Sequence, residues 1–86
     1  MADARLPAAR PAQQLIQVSA VHDIARGRQL QLQLKEAGFD SYWESVRTPS
    51  GDVVRVRVAV ERQAGKIADA LSALRRLGFD PILVGP

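Results

Sequence analysis

With 86 residues and 47% hydrophobic side chains, the chain is sized for one folded domain around a single core. It has no cysteine and one histidine, which excludes a disulfide framework and a thiolate metal site, and no run approaches the roughly 20 apolar residues of a membrane span. Twelve basic against nine acidic residues leave a net charge of +3, a mild bias toward a polar or anionic partner.

Residues 1–14 (MADARLPAARPAQQ) are rich in Ala, Pro, Arg and Gln without a sustained apolar period, and predict a tail or the end of a linker before a domain over 15–86. They lack the apolar core of a signal peptide, so any export signal is expected outside this chain. Ile16 and Val18 alternate with Gln17 and Ser19, which predicts a first strand over 15–20 with the polar pair facing away from the core. Asp23 offers an N-cap for a helix running to about Ala37. Inside that helix, residues 29–34 (QLQLQL) alternate as a strand would. Gln and Leu are nevertheless good helix formers, Ile24, Leu30, Leu34 and Ala37 fit a helical stripe, and Gly38 is placed to end it in a left-handed cap.

The second half decides between these patterns. Leu34-Lys35-Glu36-Ala37-Gly38-Phe39-Asp40 recurs forty residues on as Leu74-Arg75-Arg76-Leu77-Gly78-Phe79-Asp80, and the same offset carries Ile16 onto Val56 and Val18 onto Val58. In the later copy Ile67, Ala70, Leu71, Leu74 and Leu77 give a clean helical spacing, so the earlier copy is helical too. Each half is strand, helix, Gly-Phe-Asp, strand. The whole predicts an α+β fold of βαββαβ order with pseudo-two-fold repetition, a four-stranded antiparallel sheet carrying two helices on one face.

The remaining strands are predicted over 41–46, 53–60 and 81–84, with turn chemistry at 48–52 and the proline-led last strand at an edge. In the third strand Val54, Val56, Val58 and Val60 alternate with Arg55, Arg57 and Ala59, so one side wants a core and the other carries two guanidinium groups. Helices on one side leave the opposite sheet face open. Parity assigns to that face Gln17, Ser19, Arg55 and Arg57, with Val53. From the outer strands it takes Trp43, with Ser41 and Ser45, and Leu83, and leaves Tyr42, Glu44, Val46, Ile82 and Val84 pointing inward.

At this point the residues resemble the SPOR domain, the sporulation-related repeat of bacterial cell-envelope and cell-division proteins. The resemblance covers about 15–84. It rests on Ile16-Gln17-Val18-Ser19, on Leu34 followed by Gly38-Phe39, on Arg55-Val56-Arg57-Val58, and on the two-fold repeat. It departs from the family pattern at Ser19, where the family has glycine, at Val21, where it has an aromatic, and at Ala59-Val60-Glu61, where it has Gly-Pro-Phe. What the resemblance implies is a peptidoglycan-binding module that prefers glycan strands stripped of stem peptides and targets its parent protein to the division septum. It implies glycan contacts on the open sheet face, which makes Gln17, Ser19, Trp43, Arg55, Arg57 and Leu83 the candidate binding residues. It further implies a periplasmic domain of a parent anchored in the inner membrane outside this chain, with divisome proteins reached through that parent, and a monomer.

The residues also carry simpler roles. Arg55 and Arg57 could be solvated sheet residues paired with Glu44, and Trp43 fits a core aromatic as well as a sugar platform. His22 lies between strand and helix with no serine nucleophile spaced to it, Asp40 and Asp80 follow the helix-ending glycines as loop caps, and no glycine-rich phosphate loop occurs. No catalytic residue, cofactor or metal is expected. Two other functions share the fold. An RNA-recognition module would stack bases on aromatics of its third and first strands, and residues 53–60 contain none. A small-ligand regulatory domain has only the topology in its favour.

Overall fold

In the computed structural model residues 12–85 are described. The elements follow as β1 (Gln13–Val21), α1 (Ile24–Glu36), β2 (Ser41–Thr48), β3 (Gly51–Glu61), α2 (Ala64–Arg76) and β4 (Ile82–Val84). All strand pairs are antiparallel and the sheet order is β2-β3-β1-β4, so the two long central strands each carry one outer strand. The expected βαββαβ order and the edge position of the last strand both hold.

The core lies between the sheet and the helices. Ile16 and Val18 of β1, Val54, Val56 and Val58 of β3, and Trp43 of β2 meet Leu30 and Leu34 of α1 and Ala70 and Leu74 of α2. Six of the core side chains, Ile16, Leu34, Leu74, Val54, Val56 and Val58, are fully buried. Each aliphatic chain of this kind contributes about 1.5–3 kcal/mol through burial. The helical stripe differs at two points from the predicted one: Ile24 is 44% exposed, with Gly27 taking the buried position one turn on, and Ala37 is the exposed C-cap. Sheet and helix come so close there that a Cβ on Gly27 would sit 2.9 Å from Val54 Cγ1.

Both helices begin and end as the chain dictates. The Asp23 carboxylate accepts from the Ala25 amide at 2.9 Å and caps α1, whereas Gln63 precedes α2 without a side-chain cap. At the other ends the two Gly-Phe-Asp segments make the same pair of hydrogen bonds. Phe39 N–H donates to the Leu34 carbonyl and Gly38 N–H to Lys35; Phe79 N–H donates to Leu74 and Gly78 N–H to Arg75. This is the Schellman arrangement, and it needs a left-handed residue, here Gly38 at φ +91° and Gly78 at φ +95°. Each following phenylalanine is thereby turned back onto the core.

The expected 1–14 tail is corrected at its end. Residues 1–11 lie outside the described residues, but Gln13 and Gln14 belong to β1, because β3 runs on to Glu61 and offers them ladder partners. The Ala12 carbonyl accepts from Arg62 N–H at 2.7 Å, the Gln13 carbonyl accepts from the Arg62 guanidinium at 2.6 Å, and the buried Gln14 amide donates to the Val84 carbonyl at 2.9 Å. The second strand also runs on to Thr48, leaving a two-residue Pro49-Ser50 connection in which the Thr48 hydroxyl donates to the Gly51 carbonyl at 2.6 Å.

Two stability outcomes are expected. Gly27→Ala gains about 1 kcal/mol of helix propensity but forces Cβ against Val54, and overpacking of about 1–3 kcal/mol leaves the variant less stable; pairing it with Val54→Ala should recover stability in a denaturant-unfolding cycle. Gly38→Ala and Gly78→Ala should each cost about 1–2 kcal/mol through the left-handed backbone alone, since an added Cβ at either meets nothing within 4 Å.

Candidate functional site

Directly opposed residues of antiparallel strands share a face, so the buried valines of β3 assign every neighbour. Ser41 opposes Val58 and Trp43 opposes Val56, while Tyr42 opposes Arg57, Glu44 opposes Arg55 and Val46 opposes Val53. On the other side Ile16 opposes Val58, Gln17 opposes Arg57 and Leu15 opposes Ala59. In β4, Leu83 opposes Ile16, and Ile82 opposes Gln17. The face turned away from the helices therefore presents Arg55 and Arg57 from β3, Gln17, Leu15 and Ala20 from β1, Tyr42, Glu44 and Val46 from β2, and Ile82 and Val84 from β4.

Three expected site residues are corrected by this register. Trp43 is 5% exposed and packs in the core rather than on the open face. Leu83 shares the side of Ile16, and Ile82, 59% exposed, stands on the open face in its place. Ser19 is turned by a bulge. The β1/β3 register shifts between Gln17 and Ser19, so that Ser19 opposes the buried Val56 and the alternation resumes with Ala20 opposite Arg55. Gln17, Arg55 and Arg57 stand where expected. Tyr42, Glu44, Val46, Ile82 and Val84 were expected to point inward and instead belong to the open face.

These residues form rows across the sheet. Tyr42, Arg57, Gln17 and Ile82 lie in one register and cross all four strands; the adjacent row holds Glu44, Arg55 and Ala20. An Arg57 Nη donates to Gln17 Oε1 at 3.4 Å, a long bond, and Arg57 Nε is buried with no hydrogen-bond partner among the described residues. A buried guanidinium N–H without an acceptor is costly. Glu44 faces Arg55 directly, yet no ion pair joins them; exposed ion pairs form elsewhere, among them Arg47–Asp52 at 3.6 Å and Lys66–Glu61 at 3.1 Å. The face thus keeps two cationic groups available, beside a phenol and aliphatic side chains.

Clefts adjoin both edges of the sheet. One of about 350 Å³ lies where β1 overruns the start of β4 and is lined by Gln17, Ser19, Ile82 and Asp80 among others. A second of about 410 Å³ lies where β3 overruns β2, between the Gly38-Phe39-Asp40 segment and α2, with Glu61 and Lys66 at its rim. A third, about 190 Å³, sits at the β2 edge between Tyr42, Gln31, Lys35 and Asp40, and it includes Ser41, whose buried hydroxyl has no partner among the described residues. His22 is exposed, its ring Nδ1 within 3.2 Å of the Asp52 carbonyl, far along the sheet from the Arg57 row. Among the described residues no group of three or more His, Cys, Asp or Glu side chains converges as a metal site, and no helix is long and apolar enough to cross a membrane.

Comparison with known proteins agrees with this architecture. No curated protein matches the chain. Among solved structures, the crystal structure of the RlpA SPOR domain from Pseudomonas aeruginosa superposes with a TM-score of 0.76 over 85% of this chain and 99% of that one, at 21% sequence identity, a likeness that shows the fold. The SPOR domain family model matches residues 14–85, nearly the whole of the described sheet and helices. The chain belongs to the SPOR family, the peptidoglycan-binding modules of cell-division and cell-envelope proteins.

Proposed function

We propose that this domain recognises glycan strands stripped of their stem peptides through its open sheet face and brings the protein that carries it to the division septum. The observation that carries the proposal is the Arg57 row. Its side chain is half-buried, hydrogen-bonds Gln17 through an Nη, and is flanked by Gln17 and Tyr42 in the same register. A bare glycan strand is dense in hydroxyl and acetamido groups, and its lactyl groups end in free carboxylates once the peptides are gone. Arginine meets a carboxylate in a charge-assisted, bidentate manner, Gln17 supplies both donor and acceptor, and Tyr42 and Ile82 offer flat or aliphatic surface to sugar faces.

The domain acts as a binding module, as SPOR domains do, and chemistry would be left to other parts of its protein. The envelope-facing location common to the family supports a periplasmic domain, with an inner-membrane anchor and divisome contacts contributed by the rest of the parent, and the domain itself monomeric. RNA recognition has less support. The open side of β3 carries Val53, Arg55, Arg57 and Ala59, so the strand that would stack bases has no aromatic there.

Co-sedimentation with purified peptidoglycan before and after amidase digestion tests the proposal. Binding should rise when stem peptides are removed; no rise, or equal retention by single-stranded RNA, overturns it. Arg55→Ala and Arg57→Ala should each weaken binding to digested wall by about tenfold, the loss of one charge-assisted hydrogen bond, with circular dichroism unchanged. Unaltered retention would return both arginines to an ordinary solvated face.

A further inference from the structure

The two outer strands leave the rims of the sheet in different states. β4 has three residues behind Pro81, whereas β2 runs for eight, Ser41–Thr48, with no proline or lysine among them and an unbroken register on β3. Chains that keep an edge from pairing use short strands, prolines, lysines or bulges, and against these devices β2 sets only the charges of Glu44 and Arg47. The direction of its main chain follows from two hydrogen bonds. Arg62 N–H donates to the Ala12 carbonyl, so even-numbered positions of β3 turn their main chain toward β1 and odd-numbered ones toward β2. Trp43, Ser45 and Arg47 oppose the even-numbered Val56, Val54 and Asp52, and their own N–H and C=O groups therefore point outward. Ser41 shows the same direction, since its carbonyl accepts from Gln31 Nε2 of α1 at 3.1 Å, outside the ladder. Beyond that bond, among the described residues, no partner meets the outward groups of Trp43, Ser45 and Arg47.

We infer that the outer edge of β2 docks an extended segment of another protein, added antiparallel as a fifth strand over residues 43–47 with a basic residue opposite Glu44. Each of the three outward residues offers one donor and one acceptor, the main-chain pattern that strand addition uses. Gln31 closes the edge at Ser41 and the Pro49-Ser50 turn closes it at the other end, which fixes the length of the docked segment. Charge selects the occupant. Glu44 is exposed and forms no ion pair with the Arg55 it faces, so its carboxylate is left for a neighbour on the edge side. Arg47 belongs to the helix side, is 90% exposed and is held only by a 3.6 Å contact with Asp52; it takes an acidic residue. A second copy of β2 does not meet this pattern. Opposed residues of antiparallel strands share a face, and Glu44 and Arg47 lie on different ones, so no register of β2 against itself sets a base opposite Glu44. Centred on Ser45, self-pairing sets Val46 there; centred on Glu44, it sets the two carboxylates against each other. The inference is independent of the glycan reading, because it uses the main chain at the rim of the sheet and not the arginine row.

Titration of the isotope-labelled full chain with the capped peptide Thr-Glu-Val-Thr-Lys-Val-Thr, followed by amide hydrogen exchange, tests it. In the proposed register the peptide sets its lysine opposite Glu44 and its glutamate opposite Arg47. Exchange should slow at the amides of Trp43, Ser45 and Arg47 and stay unchanged at Glu44 and Val46, whose main chain already faces β3. Exchanging the lysine and the glutamate within the peptide, at unchanged composition, should weaken binding about fivefold, and Glu44→Lys should remove that preference. Ser45→Pro, a change that an edge strand tolerates on its outward side, should weaken binding about tenfold with circular dichroism unchanged. N-methylation of the central threonine should do the same without altering the protein. If the outward amides gain no protection, or if the exchanged or the N-methylated peptide binds as tightly as the first, the inference is overturned. It is equally overturned if those amides are protected without peptide in proportion to protein concentration, since a second copy then fills the edge.

Discussion

The pleat of β3 is the constraint from which the rest of the molecule follows. Side chains in a strand point alternately to opposite faces, so burying Val54, Val56 and Val58 beneath the helices compels Arg55 and Arg57 onto the other face. A slip of one residue would drive two guanidinium groups into the core and expose three valines, a change too costly for the fold to survive. The same pleat is transmitted by pairing to both neighbours. Tyr42 and Gln17 flank Arg57 because Trp43 and Ile16 flank the buried valines, and Ile82 follows because Leu83 opposes Ile16. Core packing and site geometry are one arrangement seen from two sides.

What anchors that arrangement against the helices is the pair of Gly-Phe-Asp turns. Each glycine reverses the chain in a left-handed conformation that closes the helix on its own carbonyls, and each phenylalanine returns to the core beside the leucine that accepts its amide proton. The turn delivers the chain directly into an outer strand, β2 after Asp40 and β4 two residues after Asp80. The outer strands therefore start late relative to the central ones, and the notches this leaves are the clefts at the sheet edges. Sheet edges are ordinarily a liability. Here β4 is only three residues long and preceded by Pro81, which limits that exposure on its side.

Much of this is legible in the residues alone, and what is not has a definite cause. The third strand, the repeat and both helix ends announce themselves because valine alternation, a recurring Leu-x-x-x-Gly-Phe-Asp and a capping Asp23 each have one comfortable structural solution. The facing of the outer strands does not. Residues 41–48 offer Ser, Trp, Ser and Arg on one side and Tyr, Glu, Val and Thr on the other, and neither set is apolar enough to declare itself. The repeat correctly makes Trp43 and Leu83 equivalent, which means that an error about one is copied to the other. The missing information was the loop length: a two-residue Pro49-Ser50 connection pairs Thr48 with Gly51 and so sets Tyr42 opposite Arg57, and the repeat then carries Ile82 to the same face. The bulge beside Ser19 had no such signal, since Gln17-Val18-Ser19 contains no glycine or proline to mark it.

The pseudo-two-fold relation also explains why the open face is chemically lopsided. Under the forty-residue offset Gln17 corresponds to Arg57, Leu15 to Arg55, Tyr42 to Ile82 and Glu44 to Val84. The half built from β2 and β3 holds the charges and the phenol, and the half built from β1 and β4 is aliphatic apart from Gln17. Between these halves the backbone is nearly symmetric but the side chains are not. A symmetric face would accept an extended ligand in either direction with equal free energy. For the stripped glycan proposed above, charge on one half and aliphatic surface on the other would make the two directions unequal, because reversal would move its carboxylates from Arg57 and Arg55 to Gln17 and Leu15 and leave the arginines against neutral groups. The core requires symmetry of shape only, so the duplicated positions on the open face are free to diverge, and their divergence is what gives a repeated fold a sense of direction.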